Sequence, residues 1–193
     1  DDSGLYFEEN GEWRVLTAKN GLPTNIIFSL IETGALDGSV WMATLGGGVT
    51  RVERSNWATF TEANGLPNKT VFAIAENSPG DFWFGTYGGG AGHFEKGNWK
   101  VFNENSNFLN NFVQCFLTTE NSKGEKIVYA GTDRGLAKFE NGKWNKIKLG
   151  TEKPLNEVWG IYETESETGG GKILWVATNG GLIRSENGAT EVF

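Results

Sequence analysis

The chain has 193 residues, 38 % of them hydrophobic and 21 % charged, with a net charge of -7. That charge excludes a nucleic-acid backbone or an anionic membrane surface as partner, since both need a cationic footprint, and no apolar run approaches the ~20 residues of a spanning helix, so no membrane insertion is expected. One cysteine excludes an internal disulfide and a cysteine-rich zinc site, whereas 28 Gly beside 8 Trp, 4 Tyr and 13 Phe point to tight turns between short strands carrying large side chains.

One phrase recurs along the chain. Gly4 and Trp13 stand nine residues apart, as do Gly48 and Trp57, Gly90 and Trp99, and Gly135 and Trp144; Gly181 to Thr190 keeps the spacing and loses the Trp. The glycines step by 44, 42, 45 and 46 residues. Ahead of each later glycine an aromatic stands three residues before a threonine: Trp41 and Thr44, Trp83 and Thr86, Tyr129 and Thr132, Trp175 and Thr178. Such a period fits one propeller blade. The fold expected is all-β, a β-propeller of about four complete four-stranded antiparallel blades plus an N-terminal half blade. The half blade covers 4–17, the full blades 25–61, 69–103, 111–149 and 156–193, in a single domain over 1–193.

Within each period the first strand is Ile26–Glu32, Thr70–Glu76, Phe112–Thr118 or Glu157–Glu163. The second carries the aromatic and the threonine, the third follows the glycine, and the fourth contains the Trp. Turn signals such as Leu36-Asp37-Gly38, Ser78-Pro79-Gly80-Asp81 and Asn141-Gly142 separate them. One first-strand column reads Ser29, Ala73, Cys115, Gly160, always small, as inner strands converging on an axis require. The Trp and Phe of outer strands are expected to fill the widening space between blades. The threonine column reads as a structural hydrogen bond inside the blade.

Asn20-Gly21-Leu22-Pro23 with Val40-Trp41-Met42-Ala43-Thr44 and Gly48-Val49 resembles the two-component regulator propeller repeat. Asn64-Gly65-Leu66-Pro67 with Phe82-Trp83-Phe84-Gly85-Thr86, and the stretch Leu174 to Leu182, repeat the pattern. The third blade departs from it, with Asn107-Phe108-Leu109-Asn110 and Tyr129. The resemblance implies the extracytoplasmic (periplasmic or secreted) sensor portion of a bacterial signalling receptor, and ligand binding without catalysis. The alternative is a structural or adhesive module binding protein or glycan; a propeller lyase or glycosidase ranks below both.

Because Gly4–Thr17 supplies outer strands only, a fragment of a larger ring is expected, ahead of ring completion by two chains or closure with four blades. Open blade edges then offer a route to self-association.

Ligands of propellers meet the face shared by the blade-to-blade loops and the strand two–three turns. Here those loops contribute Asn25, Lys69, Asn111 and Asn156, and those turns Leu45, Tyr87, Asp133, Arg134 and Asn179. Near the top of the inner strands a column reads Phe28, Phe72, Gln114, Trp159 and varies while its neighbours stay fixed. Amides with aromatic surfaces suit a small polar ligand or an oligosaccharide, although Asn also belongs in turns and aromatics in packing. No cofactor or metal is implied. His93 falls in a column with Phe7, Arg51, Lys138 and Arg184, mostly cationic and therefore expected to face solvent. Cys115 reads as a buried filler, and Glu163, Glu165 and Glu167 as a solvated hairpin rather than a Ca²⁺ loop. Gly46-Gly47-Gly48 and Gly88-Gly89-Gly90 precede strands, which suits tight turns and not phosphate binding. Of carboxylates for acid–base work, the upper face offers Asp133 and little else.

Overall fold

The computed structural model describes residues 4–33, 38–53, 56–149, 157–166 and 171–193. A hairpin of β1 (Leu5–Glu9) and β2 (Glu12–Leu16) comes first. The first sheet is β3 (Ile27–Glu32), β4 (Val40–Thr44), β5 (Val49–Glu53) and β6 (Asn56–Phe60). The second is β7 (Val71–Ser78), β8 (Asp81–Thr86), β9 (Ala91–Glu95) and β10 (Asn98–Phe102). The third is β11 (Val113–Glu120), β12 (Lys126–Thr132), β13 (Gly135–Glu140) and β14 (Lys143–Ile147). The fourth is β15 (Val158–Glu165), β16 (Lys172–Thr178), β17 (Gly181–Glu186) and β18 (Ala189–Val192). Every sheet is an antiparallel meander in sequence order. The inner strands β3, β7, β11 and β15 lie side by side in succession. The whole is a β-propeller fragment of a ring.

The recurring glycine shows why the pieces repeat. Gly48 and Gly90 have φ of +78° and +87°, and a Cβ at either would sit 2.1 Å from the carbonyl oxygen of Phe60 or Phe102. Only glycine permits both that conformation and that approach. Gly4 (2.3 Å from Leu16 O) and Gly181 (2.4 Å from Phe193 O) repeat the contact, so β1–β2 has the build of an outer blade hairpin. The threonine hydroxyls do close each blade: Thr44, Thr86, Thr132 and Thr178 donate to the carbonyls of Gly48, Gly90, Gly135 and Gly181 at 2.7–2.8 Å.

The core lies in three seams between sheets. In the first, Trp41 and Val49 meet Phe82 and Phe84; in the second, Trp83 meets Val113, Phe139 and Trp144; in the third, Leu136 meets Val158, Val176 and Ile183. Val71, Val113 and Val158 are fully buried where each new inner strand enters its seam. Glycines on the preceding sheet make room, Gly85 against Val113 and Gly131 against Val158 and Cys115. Burial pushes the Cys115 thiol up to about 12, as suits a filler.

Three expectations change. The most deeply buried Trp are Trp41 and Trp83 on the second strands, not the fourth-strand set. Trp99 and Trp144 do pack back onto the preceding sheet, whereas Trp57 and Trp13 stay exposed. The sheet that precedes Trp57 is only the two-stranded hairpin β1–β2, without a second-strand ring of the kind that Trp83 offers Trp144. His93 does not face solvent: its ring stacks on Trp83 at 4.2 Å, and Nε2 lies 2.6 Å from Asp81 Oδ1. Its column is one of cations laid on aromatics, as Arg51 over Trp41 and Arg184 over Trp175 show. Glu163 is not a solvated carboxylate, because Lys172 Nζ holds it at 2.6 Å and its side chain is only 16 % exposed. Glu167 and part of the Leu36-Asp37-Gly38 turn lie outside the described residues.

The third blade also explains its own departure from the motif. Asn107 takes the left-handed conformation of Gly65 (φ +61° against +105°), and Phe108 is buried where Leu66 is. Asn tolerates that region better than other side chains, so the turn survives the substitution.

Candidate functional site

Each inner strand carries a β-bulge at the same place. Pairing slips between Ile27 and Ser29, Val71 and Ala73, Val113 and Cys115, and Val158 and Gly160. The residue left unpaired is Phe28, Phe72, Gln114 or Trp159. A bulge kinks its strand and re-aims the extra side chain. Here all four line one cleft of about 450 Å³ that draws on every full sheet.

Tyr87, Phe112, Asp133 and Glu157 complete its wall. The rings form a chain: Phe28 to Phe72 at 4.9 Å, Phe72 to Tyr87 edge-on at 5.7 Å, and Tyr87 to Phe112 edge-on at 4.7 Å. Tyr87 is held by its own backbone, whose N–H donates to Thr70 O at 3.0 Å, and by a bridge to Phe112. Gln114 Nε2 donates to Asp133 Oδ1, which fixes the amide and one carboxylate together. Asn179 and Glu157 clasp each other, with the Asn179 N–H donating to Glu157 O at 3.1 Å. Trp159, Tyr87 and Phe28 remain 55 %, 53 % and 43 % exposed, large ring faces open to a ligand.

Of the residues predicted from sequence, Phe72, Tyr87, Asp133 and Trp159 meet at this cleft. Others are occupied elsewhere. Asn25 Oδ1 accepts from the Ala18 N–H at 2.6 Å, and Asn111 Oδ1 from the Glu104 N–H at 2.9 Å. These bonds brace the blade-to-blade loops from within. Lys69 uses the same brace in reverse, its backbone N–H donating to Glu62 Oε1 at 2.8 Å. Arg134 is drawn to Glu104 at 3.3 Å, and Asn179 serves the Glu157 clasp. Asn156 lies outside the described residues. Phe112 and Glu157 were missed, though they share a column with Ile26 and Thr70 that varies as freely as the bulge column. Among the described residues no group of His, Cys, Asp and Glu could hold a metal ion.

Residues 65–88 match the two component regulator propeller family. No curated protein matches the sequence. Among solved structures, the extracellular domain of a hybrid two component system from B. thetaiotaomicron superposes with a TM-score of 0.73 at 17 % identity, covering 99 % of this chain and 25 % of that one. A second such domain from the same organism gives 0.60 at 19 % identity over 99 % of this chain and 31 % of that one. Virginiamycin B lyase from Staphylococcus aureus, solved as a catalytically inactive histidine-to-alanine variant with quinupristin, gives 0.63 at 17 % identity over 95 % and 60 %. These likenesses establish the propeller fold. The chain spans a quarter to a third of the length of the two receptor domains.

Proposed function

We propose that the chain is part of a non-catalytic propeller that binds a small ligand in the axial cleft, within the extracytoplasmic sensing region of a bacterial signalling receptor. The observation that carries this reading is the row of bulges. A constant frame aims one side chain per sheet at one cleft, and that residue changes chemistry from Phe28 and Phe72 to Gln114 and Trp159. Packing columns behave otherwise, as the small residues Ser29, Ala73, Cys115 and Gly160 illustrate. The repeat over residues 65–88 and the fold of the receptor domains support the signalling setting.

Binding is favoured over catalysis of the lyase kind by the position of the one histidine. His93 is packed against Trp83 between sheets and does not line the cleft. A thermal-shift screen of small polar metabolites and oligosaccharides tests the proposal. A ligand should raise Tm, and Gln114→Ala and Trp159→Ala should abolish the shift. Each of these cleft-lining changes should alter stability itself by less than about 1 kcal/mol. A shift that persists in both variants, or no shift across the screen, overturns the reading.

A further inference from the structure

The cleft's lining also specifies the charge of what it takes; this step rests on the cleft being the binding site. Its wall holds five aromatic rings, two carboxylates and one amide, and no Lys, Arg or His among the described residues. Aromatic faces are electron-rich, and ionised carboxylates only accept hydrogen bonds. Donors are scarce by comparison. The side-chain donors of the wall are the Gln114 amide, one N–H of which is engaged with Asp133, the Tyr87 hydroxyl and the Trp159 indole, three groups against five rings and two carboxylates. A neutral polyol needs donors and acceptors in balance, and an anion would meet two carboxylates. The amides expected from sequence to supply that balance, Asn25 and Asn111, are not part of the wall, their oxygens bracing the loops instead.

A contrast within the molecule sharpens the point. At the blade faces, rings are capped by the chain's own cations: Arg51 lies 6.0 Å over Trp41, Arg184 lies 6.0 Å over Trp175, and Lys100 lies 4.8 Å over Phe102. The cleft rings carry no such cap among the described residues, although three of them are among the more exposed large side chains of the protein. Among the described residues, the two cations nearest in sequence to the cleft wall are committed or displaced, since Arg134 pairs with Glu104 and Lys69 is not part of the wall.

We infer that the cleft takes an organic cation, a primary or quaternary ammonium, seated on the ring faces by cation–π contact with Asp133 and Glu157 as counter-charges. The net charge of -7 draws such a ligand in from a distance.

Isothermal titration calorimetry of the chain with choline tests this, beside its uncharged analogue in which carbon replaces nitrogen and beside glucose. Choline should bind at least about tenfold more tightly than the analogue, the scale of a desolvated cation–π contact. The near-isosteric Asp133→Asn and Glu157→Gln should each weaken choline several-fold and leave the analogue unchanged, with thermal melts confirming that both fold. Equal binding of choline and its analogue overturns the inference, because shape alone then suffices. Glucose binding without choline binding also overturns it, yet leaves the sensing proposal standing. No binding by any of the three, together with a silent metabolite screen, removes both.

Discussion

The second and third seams are built from the same repeat and hold together differently. In the second, Trp83 is sealed between Phe102, Phe139 and Trp144, with ring centroids 4.9–5.5 Å apart. In the third, Tyr129 stands where Trp83 does and Thr190 where Trp144 does, and the buried cluster is aliphatic: Leu136, Val158, Val176 and Ile183. A polar clamp supplements it. Lys172 Nζ, already paired with Glu163, donates to Thr119 Oγ1 at 2.8 Å and to Glu120 O at 3.1 Å across the sheets. Loss of two indoles from a seam is thus accompanied by charged and hydroxyl groups at its rim. Dispersion and area burial favour the aromatic version, while a clamp whose lysine stays partly in solvent contributes little and is weakened by salt.

The largest expected break comes from Trp83→Ala, which should cost about 3–5 kcal/mol in urea unfolding, against about 2 kcal/mol for Tyr129→Ala. Similar losses at the two sites would mean the seams are energetically equal. Next is Gly131→Ala, whose Cβ would sit 2.4 Å from Cys115 Sγ and 2.7 Å from Val158 Cγ1. Overpacking of that kind should cost about 1–3 kcal/mol, and Cys115→Ala in the same chain should recover part of it. Full additivity of the two changes would show that the clash is relieved elsewhere.

A smaller effect separates the seams by pH. Burial raises the Asp81 carboxyl, but hydrogen bonds from His93 and Asn77 and the neighbouring His93 and Lys96 charges outweigh it, so its pKa falls below 3.8. A folded-state pKa below the unfolded one stabilises above the unfolded value and is lost as pH falls through the folded one. Acid below about pH 3.8 should therefore weaken the second seam, and Asp81→Asn should flatten that part of the stability–pH curve. An unchanged curve would mean the pair contributes nothing. The smallest effect belongs to Lys172→Met, expected within about 1 kcal/mol and vanishing in high salt. A larger, salt-independent loss would show that the clamp, and not the aliphatic cluster, holds the third seam.

Much of the blade was legible because its signals are local. The glycine-to-tryptophan spacing marks the outer hairpin, and the threonine column marks the closing bond from side chain to glycine carbonyl. Asn107 was read as a departure, yet it supplies the same left-handed turn as Gly65, since a backbone requirement can be met by more than one residue. The cleft was half legible. Its variable column stood out in sequence, but the bulges that turn Phe28, Phe72, Gln114 and Trp159 toward one space depend on pairing with the neighbouring strand.

What sequence alone determined is therefore the repeating four-stranded unit, its turns, and the identity of the residues that vary at the axis. Tertiary structure decided how deeply each repeat element is buried and what each polar group is paired with. Trp83 is nearly fully buried and its indole N–H makes no hydrogen bond among the described residues, while Trp175, in the same column, is half-buried and donates to Thr164 Oγ1 at 3.0 Å. Local sequence sets strand and turn; burial and hydrogen-bond partners come from the adjoining sheet, which a blade's own residues do not specify.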